Sequence, residues 1–351
     1  MEPIFRLPPD IEFQEVVTPL SEAMDWSIGF LGIDQVWKKT AGEGVLIIVL
    51  DTGVDHTHPD LINQIVARKD FTRSINGTMD SVGHGTHCAG IAAAEGNNGV
   101  GVISPAYKAK LACGKVLGAA GGREADLAAG INWACDLADE WPMAVLSTSW
   151  GGPTNSPLVE AALKRFTSKP KRISVAAAGN DGVNGRPGYP SVLDYCVCVA
   201  AGNRNGTLTE FSSRSPRVDT VGPGEGIVST MPGGRYAEMS GTSMACPLVA
   251  SVAACMLAAD ALDKDVDLAD YKAFRAMLRA TNKPMQDSGG YGLLNPPSLL
   301  EQVTDLDSPP AAEPRLVFDH AGLQIYKPAR AGDTYSLAVN LQAFLEALEE
   351  A

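Results

Sequence analysis

The sequence has no run of basic residues, no paired cysteines and no long uninterrupted apolar stretch, and each absence removes a class of protein. Lysine and arginine number 28 against 41 aspartates and glutamates, a net charge of −13 and a pI near 4.8. Nucleic-acid binding draws on clustered basic side chains that displace counterions from phosphates, so nucleic acid is not an expected partner. No window approaches the roughly 18 consecutive apolar residues of a membrane span, so no membrane association is expected either. The opening "MEPIFRLPPDIEFQEVV" places an acid at position 2, has two adjacent prolines and lacks the apolar core of a secretory leader, which predicts a cytoplasmic protein. The seven cysteines include no CxxC pair, and an odd, unpatterned set fits buried free thiols in a reducing compartment. Cys196 and Cys198 share one face of an expected strand, a placement from which neighbours bond poorly to each other.

What is present is an ordinary globular composition, 351 residues of which 45% are hydrophobic and 20% charged, enough for one large domain or two. Short apolar runs at 44–51, 110–117, 144–152, 173–180 and 195–202 read as buried strands, and 85–96, 123–140 and 157–167 read as helices between them. That alternation predicts an α/β fold with a mainly parallel central sheet flanked by helices. In such sheets functional groups gather at the carboxyl ends of strands, and Asp51, Ser149 and Asn180 each end an apolar run. Residues 305–314, "DLDSPPAAEP", read as a linker; beyond it "RLVFDHAGLQIYKP" predicts a hairpin and the amphipathic "YSLAVNLQAFLEALEE" a helix. The division is therefore 1–24 as an N-terminal extension, 25–304 as the main domain and 305–351 as linker and appendage.

Three segments offer an acid, an imidazole and a hydroxyl: "LDTGVDHTHPDL" with Asp51, "GHGTHCAG" with His84 and "SGTSMACP" with Ser243. A serine hydroxyl attacks only when an imidazole accepts its proton, and the imidazole needs a carboxylate on its other nitrogen. Taken singly each residue has a plainer role open to it, Ser243 as a helix cap and Asn180 as a turn residue. His56 and His58 have the look of a metal pair, but no Cys or Glu set with zinc spacing accompanies them. His87, one turn beyond His84, is expected to pack. Cys246 has no partner set comparable to that of Ser243 and is expected as filler, ahead of a Pro247 placed in the helix's first turn.

These blocks, with "AAAGNDG" around Asn180, resemble the subtilisin-like serine peptidases over roughly residues 25–300. The acidic chain, its short N-terminal extension and stretches such as "INQIVARKDFT" and "IVSTMPGGRYAEMSGTSM" are most similar to the intracellular subtilisins. The resemblance implies the subtilisin-like three-layer fold and a serine endopeptidase of broad specificity acting through an acyl-enzyme, with Asp51, His84 and Ser243 catalytic and Asn180 in the oxyanion hole. It also implies peptide or protein substrates held between Ser149, Trp150 and Gly151 on one wall and Gly118 to Gly121 on the other. Trp150 stands where the family commonly has leucine; it lines the primary pocket or packs away from it. Calcium is the implied cofactor, with Asp60 and Asn97 as ligands. In those relatives the extension lies across the active site until it is trimmed, and "FRLPPD", with Leu7, Pro8 and Pro9, matches that role, since a proline binds yet lacks the N–H that strand pairing needs. A homodimer is compatible with this reading. Two alternatives stay open: a non-catalytic scaffold using the segment after Pro310, and a maturation peptidase dedicated to one partner.

Overall fold

The computed structural model describes residues 4–7, 12–16, 22–152, 155–262, 270–285, 290 and 292–303, and the backbone of 315–320, 323–327 and 336–339. The chain divides into two compact units, residues 1–305 and 306–351.

The first unit runs β1 (Ile4–Phe5), β2 (Glu12–Val16), α1 (Trp26–Phe30), α2 (Ile33–Trp37), β3 (Val45–Asp51), β4 (Ile65–Asp70), α3 (His84–Ala93), β5 (Lys110–Lys115), β6 (Gly122–Arg123), α4 (Glu124–Ala138), β7 (Met143–Thr148) and α5 (Pro157–Thr167). It continues with β8 (Arg172–Ala177), β9 (Val197–Gly202), β10 (Thr220–Pro223), β11 (Ile227–Met231), β12 (Arg235–Ser240), α6 (Thr242–Leu262), α7 (Tyr271–Thr281) and α8 (Pro296–Val303). Seven strands form one sheet in the order β10-β9-β8-β7-β3-β5-β4, and every pairing in it is parallel. This is the expected α/β architecture.

Strand alternation explains why the core strands are apolar throughout. Along β3, Val45, Ile47 and Val49 join one buried cluster with α3 and α6, while Leu46, Ile48 and Leu50 join another with α4 and α5. Helix α5 begins where the sequence placed it because Ser156 accepts the Val159 N–H at 3.2 Å and Pro157 occupies the first turn. Helix α6 corrects one expectation: by length and composition alone residues 242–261 qualify as a membrane span, yet the stretch is wholly buried as the central core helix.

Two small sheets use the N-terminal extension. Strand β1 pairs antiparallel with β6, and β2 pairs antiparallel with the free edge of the β11–β12 hairpin. The second unit, taken by itself, is an antiparallel sheet of β13 (Arg315–His320), β14 (Leu323–Lys327) and β15 (Ser336–Val339). The hairpin was expected. The stretch read as an amphipathic helix instead opens as a strand, and residues 340–351 lie outside the described part.

Candidate active site

Asp51 is the last residue of β3, at the carboxyl edge of the sheet. Its backbone carbonyl receives the N–H groups of Val116 and Leu117, which anchors it to the chain leaving β5. Its Oδ1 accepts the Thr52 N–H at 2.7 Å and meets His84 Nδ1 at 2.7 Å, with both side chains buried. His84 reaches it as the first residue of α3, and the approach is so close that a Cβ on Gly85 would fall 2.2 Å from the Gly53 carbonyl. Asp80 fixes that helix start. Its Oδ1 takes the N–H groups of Val82 and Gly83 and the Thr52 hydroxyl, and its Oδ2 takes the Thr86 N–H and hydroxyl. A carboxylate is favourable at this end of a helix dipole. Nothing in the sequence pattern had singled Asp80 out.

Burial, the largest single influence, opposes the charging of His84, but the Asp51 carboxylate and Cys88 together outweigh it and lift the imidazole pKa well above its usual value. His87 faces the other way: Nε2 lies 3.0 Å from the Ala237 carbonyl, and burial pushes its pKa down to about 3, so it stays neutral and packs as expected.

Ser243 is the second residue of α6 and fully buried. Pro247 sits in the interior of this helix and not in its first turn, which corrects the sequence reading. It lacks the N–H that Ser243's carbonyl would otherwise receive four residues on. Two side chains take that place: the Ser149 hydroxyl donates to the Ser243 carbonyl at 2.8 Å and the Cys88 thiol at 3.4 Å. In return the Ser243 hydroxyl donates to the Ser149 backbone carbonyl at 3.2 Å.

Asn180 follows β8, and its Oδ1 accepts both the N–H and the hydroxyl of Thr242, at 3.0 and 2.9 Å. Because a backbone N–H only donates, this pairing sets the amide's orientation and turns Nδ2 the other way. Cys246 is buried behind Ser243, donates to the Thr148 carbonyl at 3.6 Å and has its pKa pushed up to about 12 by burial, a neutral thiol as filler.

A cavity of about 770 Å³ opens beside Asn180, lined among others by Leu7, Trp150, Gly179, Tyr189 and Val192. The N-terminal extension runs into it as an added strand. Ile4 pairs with Arg123 and Phe5 with Gly122, while Arg6 and Gly151 exchange both backbone hydrogen bonds, at 2.9 and 3.0 Å. Gly118 and Gly121 bond to each other and close a turn, and the next two residues, Gly122 and Arg123, receive the strand. Phe5 is fully buried, edge-on to Trp150 at 5.6 Å and 6.1 Å from Tyr189. It approaches so near Gly152 that a Cβ there would lie 2.9 Å from its ring. Trp150 itself is buried as the floor beneath Phe5, with its indole N–H on the Leu50 carbonyl at 2.8 Å. Pro8 and Pro9 lie outside the described residues.

Residues 42–293 match the subtilase family. The chain is a subtilase. It is 36% identical over 284 residues to the intracellular serine protease of Paenibacillus polymyxa, an alignment covering 77% of this chain and 85% of that protein. With the major intracellular serine protease of Bacillus subtilis (strain 168) it shares 34% identity over 285 residues, 77% of this chain and 88% of the other. With thermitase of Thermoactinomyces vulgaris it shares 40% over 220 residues, 62% and 77% of the two chains. Membership of this family makes it a subtilisin-type serine endopeptidase, a hydrolase of peptide bonds.

Subtilases generally bind calcium, and Asp60 is the carboxylate on which that expectation rests. Asp60 is fully buried, and its Oδ2 accepts the Val102 N–H at 2.9 Å and the Tyr236 hydroxyl at 3.0 Å. A Cβ on Gly101 would lie 2.0 Å from that oxygen, so nothing further approaches on that side. Oδ1 accepts from the amide nitrogen of Asn98 at 3.0 Å, and Asn98's own oxygen is taken by the Val100 N–H. Calcium is held by several oxygen ligands at once, and of the Asp60 oxygens Oδ2 already accepts from two protein donors while Oδ1 accepts from one. Asn97, the residue expected beside Asp60, is not the asparagine that reaches it. Glu22, which the sequence reading had not singled out, receives the Asn98 N–H at 3.2 Å. His58 is engaged on both ring nitrogens, by the Asp60 N–H and the Arg235 carbonyl, which leaves none for a metal.

Proposed function

We propose that Asp51, His84 and Ser243 are the acid, base and nucleophile of this endopeptidase, and that residues 1–24 hold it in check by lying in the cleft as an uncleaved substrate. The observation that supports the reading is the pairing of residues 4–6 between Gly122–Arg123 and Gly151, an extended polypeptide seated by backbone hydrogen bonds and leading into the cavity that Asn180 lines. Strand addition of this kind asks little of side chains and supports broad specificity.

In the reaction His84 Nε2 takes the Ser243 hydroxyl proton as Oγ bonds to the scissile carbonyl carbon. Asp51 holds Nδ1 and stabilises the imidazolium. The oxyanion faces the Ser243 N–H, which lies in the first turn of α6 where the helix has no use for it, and the Asn180 amide. His84 then delivers the proton to the departing amine, and water repeats the sequence to free the acyl group. No step passes through calcium.

The peptidase domain spans 25–304, with 305–351 an appendage of separate role. The intracellular relatives support a cytoplasmic location. Reaction of the chain lacking residues 1–20 with a fluorophosphonate should label Ser243 and accompany casein hydrolysis. A folded sample that does neither would leave the scaffold reading in possession, and cleavage of a single peptide from a mixed library would favour the dedicated one.

A further inference from the structure

We propose that the outer edge of β12 is a binding strip for the leaving-group side of the substrate, where a chain extending well beyond the scissile bond adds as an antiparallel strand and Glu238 favours a basic residue. The proposal rests on the reading of Ser243 as nucleophile and of the extension as a chain seated like a substrate.

The extension is bound on both sides of Ser243. On one side Arg6 and Gly151 pair antiparallel, so the strand direction at Arg6 points along 151–149, toward the carbonyl that takes the Ser243 hydroxyl. On the other side β2 lies against β12, with Glu12 facing Ser240 and Val16 facing Tyr236. Ser240 stands three residues before Ser243, so β2 begins at the nucleophile's end of β12 and runs away from it. Five residues separate Arg6 from Glu12, a span of no more than roughly 22 Å, which makes the two pairings one passage across the nucleophile. A substrate threaded in the same direction has its acyl half where residues 4–6 lie and its leaving-group half where residues 12–16 lie.

The strip suits such a chain. Strand β12 is joined to β11 on one edge and carries β2 on the other, so removal of β2 uncovers five residues of backbone, 236–240, whose outward N–H and carbonyl groups need new partners. Ala237 and Met239 belong to the core, which turns Tyr236, Glu238 and Ser240 to the opposite face. Tyr236 is buried there against His58 and Asp60, whereas Glu238 is half-buried and pairs with no cation among the described residues. Directly opposed residues on one face of an antiparallel pair attract or repel by charge. The extension sets the neutral Gln14 opposite Glu238, and a substrate with lysine or arginine there gains an attraction that the extension lacks. Selection is thereby exerted several residues away from the bond that is cut, in favour of long, unfolded, basic segments over short peptides.

The test uses the full-length protein and internally quenched peptides that share one acyl half and one scissile bond, one ending three residues beyond the bond and the other ten. The extension competes with both, so the ratio of KM values reads the strip. The longer peptide should have a KM about tenfold lower with kcat changed less than about threefold, the scale of one or two net hydrogen bonds. N-Methylation moved one residue at a time along its distal part should cancel the gain at alternate positions only, because every second N–H of an added antiparallel strand faces its neighbour. Lysine at the position opposite Glu238 should lower KM about fivefold relative to glutamate, and Glu238→Gln should erase that difference while the shorter peptide is cleaved as before. Equal KM for the two lengths, N-methyl effects without alternation, or a lysine preference that survives Glu238→Gln overturns the proposal. Fluorophosphonate labelling of the same preparation separates the failures. Labelled Ser243 with equal KM removes the strip alone, whereas turnover of both peptides with Ser243 unlabelled removes the nucleophile assignment beneath it.

Discussion

The two halves of the site are held by different forces. Asp51 and His84 form a buried, charge-assisted pair at 2.7 Å, braced by Thr52 and by the five donors on Asp80. Ser243 is placed by neutral hydrogen bonds to Ser149 and Cys88, one of them from its own reactive hydroxyl. Charge-assisted bonds in a low dielectric are roughly twice as strong as neutral ones. The acid–base half is therefore held by the stronger contacts, and Ser243 by the weaker ones.

The halves nonetheless act as one unit in turnover, and the largest effects break that unit. His84→Ala and Ser243→Ala should each lower kcat on a peptide amide by about 10⁶-fold, the scale established in subtilisin itself, and the double variant should be no worse than either single one. Thermal midpoints close to wild type keep the comparison clean. Losses that multiply would mean that the halves work independently.

The next effect is confined to the charged half. His84 serves as base only when neutral, and its pKa is held above the ordinary 6.5 because Asp51, with Cys88, outweighs burial. The acid limb of kcat/KM should therefore lie above pH 6.5 and fall about tenfold per unit below that pKa. In stability the sign is the reverse. The raised pKa contributes stability that is fully present below about pH 6.5 and is lost as pH rises through the folded value. Asp51→Asn should move the limb down, since burial is then opposed only by Cys88; an unmoved limb in that variant would mean that Asp51 does not set it.

Much of the sheet was legible because buried parallel strands are apolar on both faces, and runs such as "GVLIIVLD" announce themselves. Strand β4, "IVARKD", was not, because its exposed alternating residues at the sheet's edge read as polar chain. Asp51, His84 and Ser243 were legible as motifs. The roles of Asp80 and Ser149 were not, since each depends on which backbone groups a fold brings within 3 Å. Pro247 was assigned to the first turn of a helix opening at Ser243, but with α6 beginning at Thr242 it lies beyond that turn. Position 149 was noticed as a strand end, but a reciprocal bond across 94 residues leaves no trace in local pattern.

A smaller effect probes what fills the cleft. Phe5→Ala removes a fully buried ring from its seat on Trp150 and Tyr189, and burying such a side chain is worth roughly 1.5–3 kcal/mol. The full-length variant should show an initial rate on casein at least about tenfold above wild type, approaching that of the chain lacking residues 1–20. Equal initial rates in all three proteins would mean that the extension lies in the cleft without closing it.

The smallest effect concerns Asp60, which contrasts with Asp51 as a buried carboxylate satisfied by neutral donors with no counter-charge. Burial and the Asp60 carboxylate both raise the pKa of Tyr236, so its hydroxyl stays protonated and donates. Tyr236→Phe leaves Val102 and Asn98 on Asp60 and removes one bond to a charged, buried oxygen, at a cost of about 1–3 kcal/mol in urea unfolding with little change in kcat. A chelator tests whether the open position on Oδ1 holds an ion, because an ion that binds only the folded state stabilises it in proportion to occupancy. A midpoint that falls on chelation, returns with added calcium and ceases to respond in Asp60→Asn would place the ion on Asp60.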